Sequence, residues 1–581
     1  MNKHKNNLVL LTVLTLVTFG NCLPNGFVGD DEFLFIKNPF FHSWNNFPKL
    51  FTSQYNADQD AIFNDDTENI NSGSVAYRPA LSVTFFLDYS LWKDKAFGYH
   101  LHNVMLHLIN TILVYWLMFL VLNAPVAALI AAVLFCVHPL KSEAVASIGY
   151  RADSLATLFM LVSFIFYVSP KWAGWKVKAC SWLFFFLALF TKESVVVYPA
   201  ILFAYDWLIK KEKPDDLLRS AWERYGGYVL ILAFYLFVYF FVFPNTALHG
   251  VRDLPADTVV RVLATLWILG HYLTLFVLPP LVKQLPPLYA PPIEIGWGIQ
   301  TVCSLTIFVI FALSVLYCTK KAKTHAFFLI WFLLAFIPVS NIIVIANPMA
   351  YRFMYLPSIG LAGFFALIII SLGRRLILLS LKMRQAMLAG LAAVCMITTV
   401  FLNFNWQSNT MMALAMVKDF PEYPVGYMHA GMIYFNAGVK EKAVELLSRS
   451  IELGLDDPRG LYLLALCSFD EPEVSKAYFL RSVREYPSYA HAYTGLGRIH
   501  LMENEYKEAL SYLNKSIQLS PNWKAYAYLI QLMVLIDSRE AAVNLIESSK
   551  GILKENEVEA LSEVYGLTQK GDTPLPIDLG I

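Results

Sequence analysis

The sequence predicts an all-α protein in two parts. The first is a polytopic membrane bundle of about eleven spanning helices plus one re-entrant or surface-lying helix. The second is a solenoid of helical repeats. Three observations carry this reading. Of 581 residues, 57% are hydrophobic and only 15% charged, against roughly 45–50% and 25% in soluble chains. Charges are then separated by long apolar gaps, and beyond residue 405 prolines recur at a nearly fixed spacing. The net charge of +1 leaves no global field to recruit nucleic acid. The seven cysteines mostly fall in apolar runs and form no CxxC, so they read as neither a disulfide framework nor a zinc site.

The membrane helices follow from the gaps. No Asp, Glu, Lys or Arg lies between Lys5 and Asp30, Lys95 and Lys141, Asp153 and Lys171, Lys178 and Lys192, or Glu193 and Asp206. The same holds from Arg224 to Arg252, Arg261 to Lys283, Glu294 to Lys320, Lys323 to Arg352, Arg352 to Arg374, and Arg384 to Lys418. About 20 apolar residues cross the hydrocarbon core as a helix. The gap from Lys95 to Lys141 holds two helices that turn at Asn123-Ala124-Pro125. Twelve apolar helices result, near 8–23, 100–122, 125–138, 154–169, 178–191, 194–209, 225–244, 261–279, 298–318, 326–346, 355–373 and 386–404. The first has the charged start of a signal peptide, but with so many apolar helices behind it we read it as an uncleaved signal-anchor.

Short basic loops set orientation. Lys3 and Lys5, and the loops at 171–178, 210–224, 320–323 and 374–384, hold most of the membrane half's basic residues and are expected in the cytoplasm. All twelve helices cannot span with that arrangement. Parity works if one helix between 225 and 318 fails to cross. The segment 261–279, followed by Pro279-Pro280, Pro286-Pro287 and Pro291-Pro292, is the expected re-entrant or surface helix on the outer side. The N-terminus is then cytoplasmic and the C-terminal repeats are not.

Prolines at 424, 458, 487 and 521 are spaced by 34, 29 and 34. A period of 34 is that of the tetratricopeptide repeat. Tyr493, Leu496-Gly497, His500, Tyr506, Ala509, Leu513 and Ser516 fit its pattern, as do Tyr427, Ala430-Gly431, Tyr434, Ala443, Leu447 and Ser450. A shortened repeat at about 459–487 lies between them, and a weaker one starts near Trp523. Stacked helix pairs bury a continuous core and leave a concave binding surface. The expected domains are residues 1–410 in the membrane, with a first outer loop at 24–99, then repeats at 411–565 and a tail at 566–581.

Polar residues of the outer face are few and sit at helix ends. The first outer loop opens with Gly29-Asp30-Asp31-Glu32. Charges beside a membrane are costly unless solvated or paired. Adjacent carboxylates repel, and one can keep a raised pKa suited to proton abstraction; the alternative is a solvated turn or a helix cap. Then come Tyr77-Arg78-Pro79, His138-Pro139-Leu140-Lys141-Ser142-Glu143, Tyr150-Arg151-Ala152-Asp153, Thr191-Lys192-Glu193 and Tyr351-Arg352. Arg78, Arg151, Lys192 and Arg352 form four cations at one membrane depth. Snorkelling cations favour the inner face. An outer ring of cations around a carboxylate suits a polyprenyl phosphate, since Arg holds phosphate bidentately and Lys holds it as a point charge.

These motifs together resemble a known family. The Asp30-Asp31-Glu32 triplet, the Tyr-Arg-Pro-Ala-Leu-Ser-Val-Thr-Phe-Phe-Leu-Asp-Tyr run at 77–89, and Phe97-Gly98-Tyr99-His100-Leu101-His102-Asn103-Val104 look like the transmembrane and tetratricopeptide repeat-containing (TMTC) O-mannosyltransferases. So do His138-Pro139 with Glu143, Arg151-Ala152-Asp153, Thr191-Lys192-Glu193-Ser194, and Arg352 with Tyr355-Leu356-Pro357-Ser358. The likeness covers about 24–550. Departures are a short repeat array and an acidic insert from Asp58 to Glu68; both point to a bacterial or archaeal relative.

The resemblance implies membership of the GT-C glycosyltransferases. It implies inverting transfer of a mannose-like sugar from a polyprenyl-phosphate donor to a protein hydroxyl on the non-cytoplasmic side. Asp30 would be the general base, with Asp31 the close alternative. Arg151, Lys192, Arg352 and Arg78 would bind the donor phosphate. Glu143, Asp153, Glu193, His138 and Tyr351 would orient those cations or touch the sugar. No metal set is indicated, and no cofactor beyond the lipid-linked donor. The expected partners are that donor, membrane lipids and a protein acceptor held by the repeats. A lipid or glycan acceptor, a non-enzymatic repeat scaffold and a transporter are the competing readings; the charge-free gaps argue against the last. The chain is expected in a prokaryotic cell membrane, or in the endoplasmic reticulum of a eukaryote.

Overall fold

The structure, a computed structural model, describes residues 2–29, 31–52, 55, 76–169, 174–243, 258–283, 299–342, 345, 347–375, 380–455, 457–553 and 555–570. Asp30 and the acidic insert at 58–68 lie outside the described residues. Among those described there is no β-strand, and the fold is all-helical as expected. The chain divides into two units, Met1–Met412 and Ala413–Ile581.

Every predicted apolar segment forms helix in the first unit. Among the described residues, six helices are long and apolar enough to cross a membrane: Ala96–Leu122, Arg151–Val168, Ala221–Val242, Val302–Lys321, Ser358–Arg375 and Leu381–Phe404. Pro125–Val137 and Pro139–Ala146 form a pair bent by 60°. The break is at His138, whose extended backbone (ψ 132°) is what a residue before proline adopts. Its Nδ1 accepts the Leu140 N–H and its Nε2 donates to the Phe276 carbonyl, so the ring holds the bend.

The helix Pro79–Trp92 is not among the twelve that the charge gaps predict. It starts with Pro at its first position, where the missing N–H costs nothing, and it lies inside what the sequence reads as one outer loop. Short turns at Pro39–His42 and Trp44–Phe51 pack on it. His42 stacks on Tyr89 with ring centres 3.9 Å apart, and Phe35 meets Phe85 at 4.2 Å.

The two ends of the bundle carry its polar groups. At one end, Asp206 is fully buried and accepts from Tyr167 at 2.5 Å, Tyr225 at 2.7 Å and Lys210 at 2.8 Å. The basic loop at 210–224 is thus anchored to it. The other end gathers residues 26–29 and 31 and the loops at 138–150, 190–193 and 349–357. The helix Thr258–Val277 packs on Ile299–Lys321 and touches that end at three points between Thr265 and Phe276. Thr265 Oγ1 donates to the Ser340 carbonyl, Tyr272 Oη to the Ala350 carbonyl, and His138 reaches Phe276. Ser340 follows the turn Ile337–Val339, which packs on Glu193–Val197.

Among its described residues the second unit holds the end of the helix Asn409–Asp419, four helix pairs and a closing helix, Glu555–Lys570. The pairs are Pro424–Asn436 with Lys440–Glu452, Pro458–Cys467 with Pro472–Glu485, Ala490–Met502 with Tyr506–Leu519, and Trp523–Leu535 with Arg539–Ser549. Equivalent residues do equivalent work. Ser450 Oγ donates to the Pro424 carbonyl and Ser516 Oγ to the Ala490 carbonyl, each at 2.9 Å. A Cβ on Gly431 would sit 2.7 Å from Leu447, and one on Gly497 2.6 Å from Leu513. Glycine there lets the paired helices close.

Candidate functional site

Three cations and three carboxylates converge at the loop end of the membrane unit. A turn at Phe190-Thr191 ends the helix Trp175–Leu189, Lys192 follows in extended form, and Glu193 opens the short helix Glu193–Val197 beside it. Asp153 stands in the first turn of Arg151–Val168, where a carboxylate favours the helix dipole. Lys192 Nζ lies 2.6 Å from Asp153 Oδ2, both nearly buried. Arg78, the residue before Pro79–Trp92, grips Glu193 bidentately, with contacts of 2.7 and 3.2 Å. Arg352 pairs with Glu143, whose second oxygen accepts the Arg352 backbone N–H at 2.9 Å. Its guanidinium also lies 3.9 Å from the centre of the Tyr150 ring.

The pairs influence one another. Burial pulls the Lys192 amine below the ordinary lysine value; Asp153 and Glu193 pull it back, while Arg78 and Arg352 push it further down. Burial raises the Glu193 carboxyl, but the Arg78 and Lys192 charges outweigh it and hold the group below its ordinary range. The cluster therefore holds alternating charges that nearly cancel. Arg78 and Arg352 keep some exposed surface, and Lys192 is nearly buried.

Arg151 is of a different kind. It is fully buried, and its guanidinium meets Asp88 at 2.5 Å, Asn103 Oδ1 at 2.6 Å, Thr84 Oγ1 at 3.1 Å and the Tyr99 carbonyl at 3.1 Å. Asp88 also takes His102 at 2.8 Å. The structure thus gives Arg151 a tie between Pro79–Trp92 and Ala96–Leu122, not an open phosphate contact. Asp31 is buried too. Its Oδ1 accepts the Gly149 N–H at 2.8 Å and its Oδ2 the Val28 N–H at 3.2 Å. A Cβ on Gly149 would come within 3.0 Å of that Oδ1. His138 is the buried hinge already described, away from solvent. Tyr351 is buried and lines a small cavity beside Glu143.

Sequence reasoning missed Asp88 and Asn103, the partners of Arg151, and Lys283 and Trp406, which line the small cavity with Tyr351. Asp88 and Asn103 stand inside the family-like motifs at 77–89 and 97–104, and a buried cation at 151 needs such partners. Lys283 sits in a proline-rich stretch that reads as connection, and Trp406 lies just past the last apolar run. Among the described residues, His, Cys and carboxylates spaced for a metal occur only at His500, Glu503 and Glu505, in the repeat unit. Lys476 already occupies Glu503 there at 2.6 Å.

Comparison with known proteins bears on both units. The tetratricopeptide repeat family model matches residues 490–523. Protein O-mannosyl-transferase F38B6.6 of Caenorhabditis elegans is 25% identical over 364 residues, covering 61% of this chain and 50% of that protein. The curated homologues of this chain are TMTC O-mannosyl-transferases. Among these relatives, mouse TMTC1 is 29% identical over 229 residues, covering 36% of this chain and 23% of its own length. Human TMTC3 is 26% identical over 212 residues, covering 36% and 22%. The chain thus spans about half the length of the nematode O-mannosyl-transferase and a quarter or less of the two mammalian ones. Among solved structures, YrrB, described as a tetratricopeptide repeat protein with an unusual peptide-binding site, aligns with 28% of this chain and 80% of its own at 15% identity, TM-score 0.22.

Proposed function

We propose that the chain is an integral-membrane glycosyltransferase of GT-C type that moves a mannose-like sugar from a polyprenyl-phosphate donor to hydroxyls of a protein on the non-cytoplasmic face. The observation that carries this is the convergence of the Arg78–Glu193, Lys192–Asp153 and Arg352–Glu143 pairs at one end of an otherwise apolar bundle. The names of the homologues support a transferase that acts on proteins. The lipid tail of such a donor stays in the bilayer while its phosphate reaches this end.

Asp30 takes the proton of the acceptor hydroxyl. The oxygen attacks the anomeric carbon, the carbon–oxygen bond to phosphate breaks, and the lipid phosphate leaves with that electron pair, inverting the centre. Arg78, Lys192 and Arg352 stabilise the charge that grows on the phosphate, and electrostatic help of this kind usually contributes most to catalysis. Asp31 is less suited to be the base. Both of its carboxylate oxygens already accept backbone N–H groups, from Gly149 and Val28. Arg151 serves as a positioning residue that holds the first outer loop over the site.

The helix Thr258–Val277 lies across this end and does not span. Thr265, Tyr272 and Phe276 cover about 16 Å of helix at 1.5 Å per residue, yet all three meet loops of the same end. Eleven spans then leave the basic loops in the cytoplasm and the repeats outside it, where they meet the acceptor protein. A cytoplasm-only reporter fused after Asn405 is expected to be silent. The activity is tested by mass spectrometry of proteins beyond the membrane, in cells with and without the gene. Loss of hexose-modified Ser and Thr peptides is expected; identical glycopeptide maps would leave a repeat scaffold as the better reading.

A further inference from the structure

The end of the bundle opposite the paired charges carries a second group of cations, of a different make. Lys320 and Lys321 close the helix Ile299–Lys321, and Lys323 opens Lys323–Phe336. Arg374 and Arg375 close Ser358–Arg375, and Lys382 lies in the first turn of Leu381–Phe404. We propose that this cluster is a binding surface for the phosphate headgroups of anionic phospholipids in the surrounding bilayer. The inference goes beyond the transferase reading and does not depend on it.

Helix runs place the cluster. Ser358–Arg375 starts just after the loop that carries Arg352 and extends about 27 Å from it at 1.5 Å per residue. Lys323–Phe336 lies antiparallel beside it: a Cβ on Gly360 would sit 2.8 Å from the Phe332 backbone N, and one on Gly363 2.5 Å from the Phe328 ring. The start of one helix and the finish of the other therefore share an end.

The balance of charge sets the cluster apart. No Asp or Glu lies between Glu294 and Asp419. Among the described residues none of the six cations meets a carboxylate, and all but Lys323 are exposed. The basic loop at 210–224 differs. Its five cations share the loop with four carboxylates, and Lys210 and Arg224 are paired with Asp206 and Glu212. Orientation in a membrane counts Lys and Arg and takes little account of acids, so both loops satisfy it. Only the bare cluster leaves its field for an anion from outside, and clusters of four to eight Lys and Arg beside a membrane helix attract anionic headgroups.

The apolar surface next to the cations says which anion. Leu313, Leu316 and Tyr317 lie within two turns of Lys320, and Leu372 and Leu381 stand beside Arg374 and Lys382; all five are more than half exposed. A free phosphate uses the cations alone. A phospholipid uses both features, with its phosphate at the cations and its acyl chains along the apolar flank.

The test titrates the full chain, in uncharged detergent, with phosphatidylglycerol, with phosphatidylcholine of the same acyl chains, and with inorganic phosphate. Bound lipid is read by native mass spectrometry. Phosphatidylglycerol is expected to bind more tightly than phosphatidylcholine, and inorganic phosphate at equal concentration is expected not to displace it. Arg374→Gln with Arg375→Gln, and separately Lys320→Gln with Lys321→Gln, are each expected to raise the Kd of phosphatidylglycerol ~30-fold, the worth of two cations at a membrane surface. Lys211→Gln with Lys213→Gln removes the same net charge from the acid-balanced loop and is expected to leave that Kd unchanged. All these side chains are exposed, so the variants keep the fold. Equal binding of the two lipids, an unchanged Kd in either of the first two double variants, or an equal loss in the Lys211 and Lys213 variant overturns the surface. Displacement by inorganic phosphate overturns the choice of a lipid as its occupant.

Discussion

Replacing Asp153 by Asn removes a negative charge while keeping shape, and the structure sets what this costs. The Lys192–Asp153 contact is 2.6 Å, with the side chains only 7% and 8% exposed. At an effective dielectric of about 20, two unit charges at that distance attract by ~6 kcal/mol. Part of that offsets desolvation, and removing one partner of such a pair costs about 3–5 kcal/mol because the other charge is stranded. The neighbours sharpen this, since Arg78 and Arg352 repel Lys192 and only Glu193 opposes them. Asp153→Asn is therefore expected to lower the midpoint of thermal unfolding of detergent-purified protein strongly. The loss is greatest at low pH, where Lys192 is charged. It is relieved as pH rises through the lowered lysine value. Adding Lys192→Met is expected to recover most of the stability, because a buried pair replaced by apolar groups is often neutral, while donor binding stays lost. Asp153→Asn as stable as wild type, or a double variant no better than the single, would show that the pair does not hold this end of the bundle.

Three further outcomes are expected. Donor binding by wild type falls as pH rises, earlier than for an ordinary lysine, because burial lowers Lys192 and its cation is what the phosphate needs; Lys192→Arg removes this alkaline limb in a binding titration, since Arg stays protonated. Gly149→Ala places a methyl 3.0 Å from Asp31 Oδ1, so transfer drops at least ~10-fold, read as kcat, with donor Kd nearly unchanged. Gly497→Leu drives a side chain into Leu513 and opens the third repeat; protein-acceptor transfer fails while donor binding persists, and intact transfer would separate the repeats from acceptor choice.

The apolar helices were legible because lipid forbids stray charge. Each charge-free gap that predicted an apolar segment contains helix, with ends displaced by a few residues where caps and prolines decide. The repeats were legible at Gly431, Gly497, Ser450 and Ser516, since each unit reuses the same contact. Pro79–Trp92 was not, because its buried face is set by aromatic turns at 39–51 that no periodicity reports. The pairing of charges was not legible either. Arg78 meets Glu193 across 115 residues and Arg352 meets Glu143 across 209, so only tertiary packing chooses the partners. Arg151 shows the limit most clearly. Its place at a helix start marked it as an outer cation, while its burial depends on Asp88, Asn103 and Thr84 arriving from two other helices.

In the proposed mechanism the paired charges at one end of the bundle move a sugar from lipid phosphate, with Asp30 as base. Purified protein in nanodiscs, given polyprenyl-phosphate-[³H]mannose and an acceptor peptide, tests it when wild type and Asp30→Asn are compared. A general base contributes about 10²–10⁴-fold. Labelled peptide is expected with wild type, with at least ~10²-fold slower transfer by Asp30→Asn and equal donor binding by both. Full transfer by Asp30→Asn, or no transfer by a wild type that binds the donor and the peptide, contradicts the mechanism.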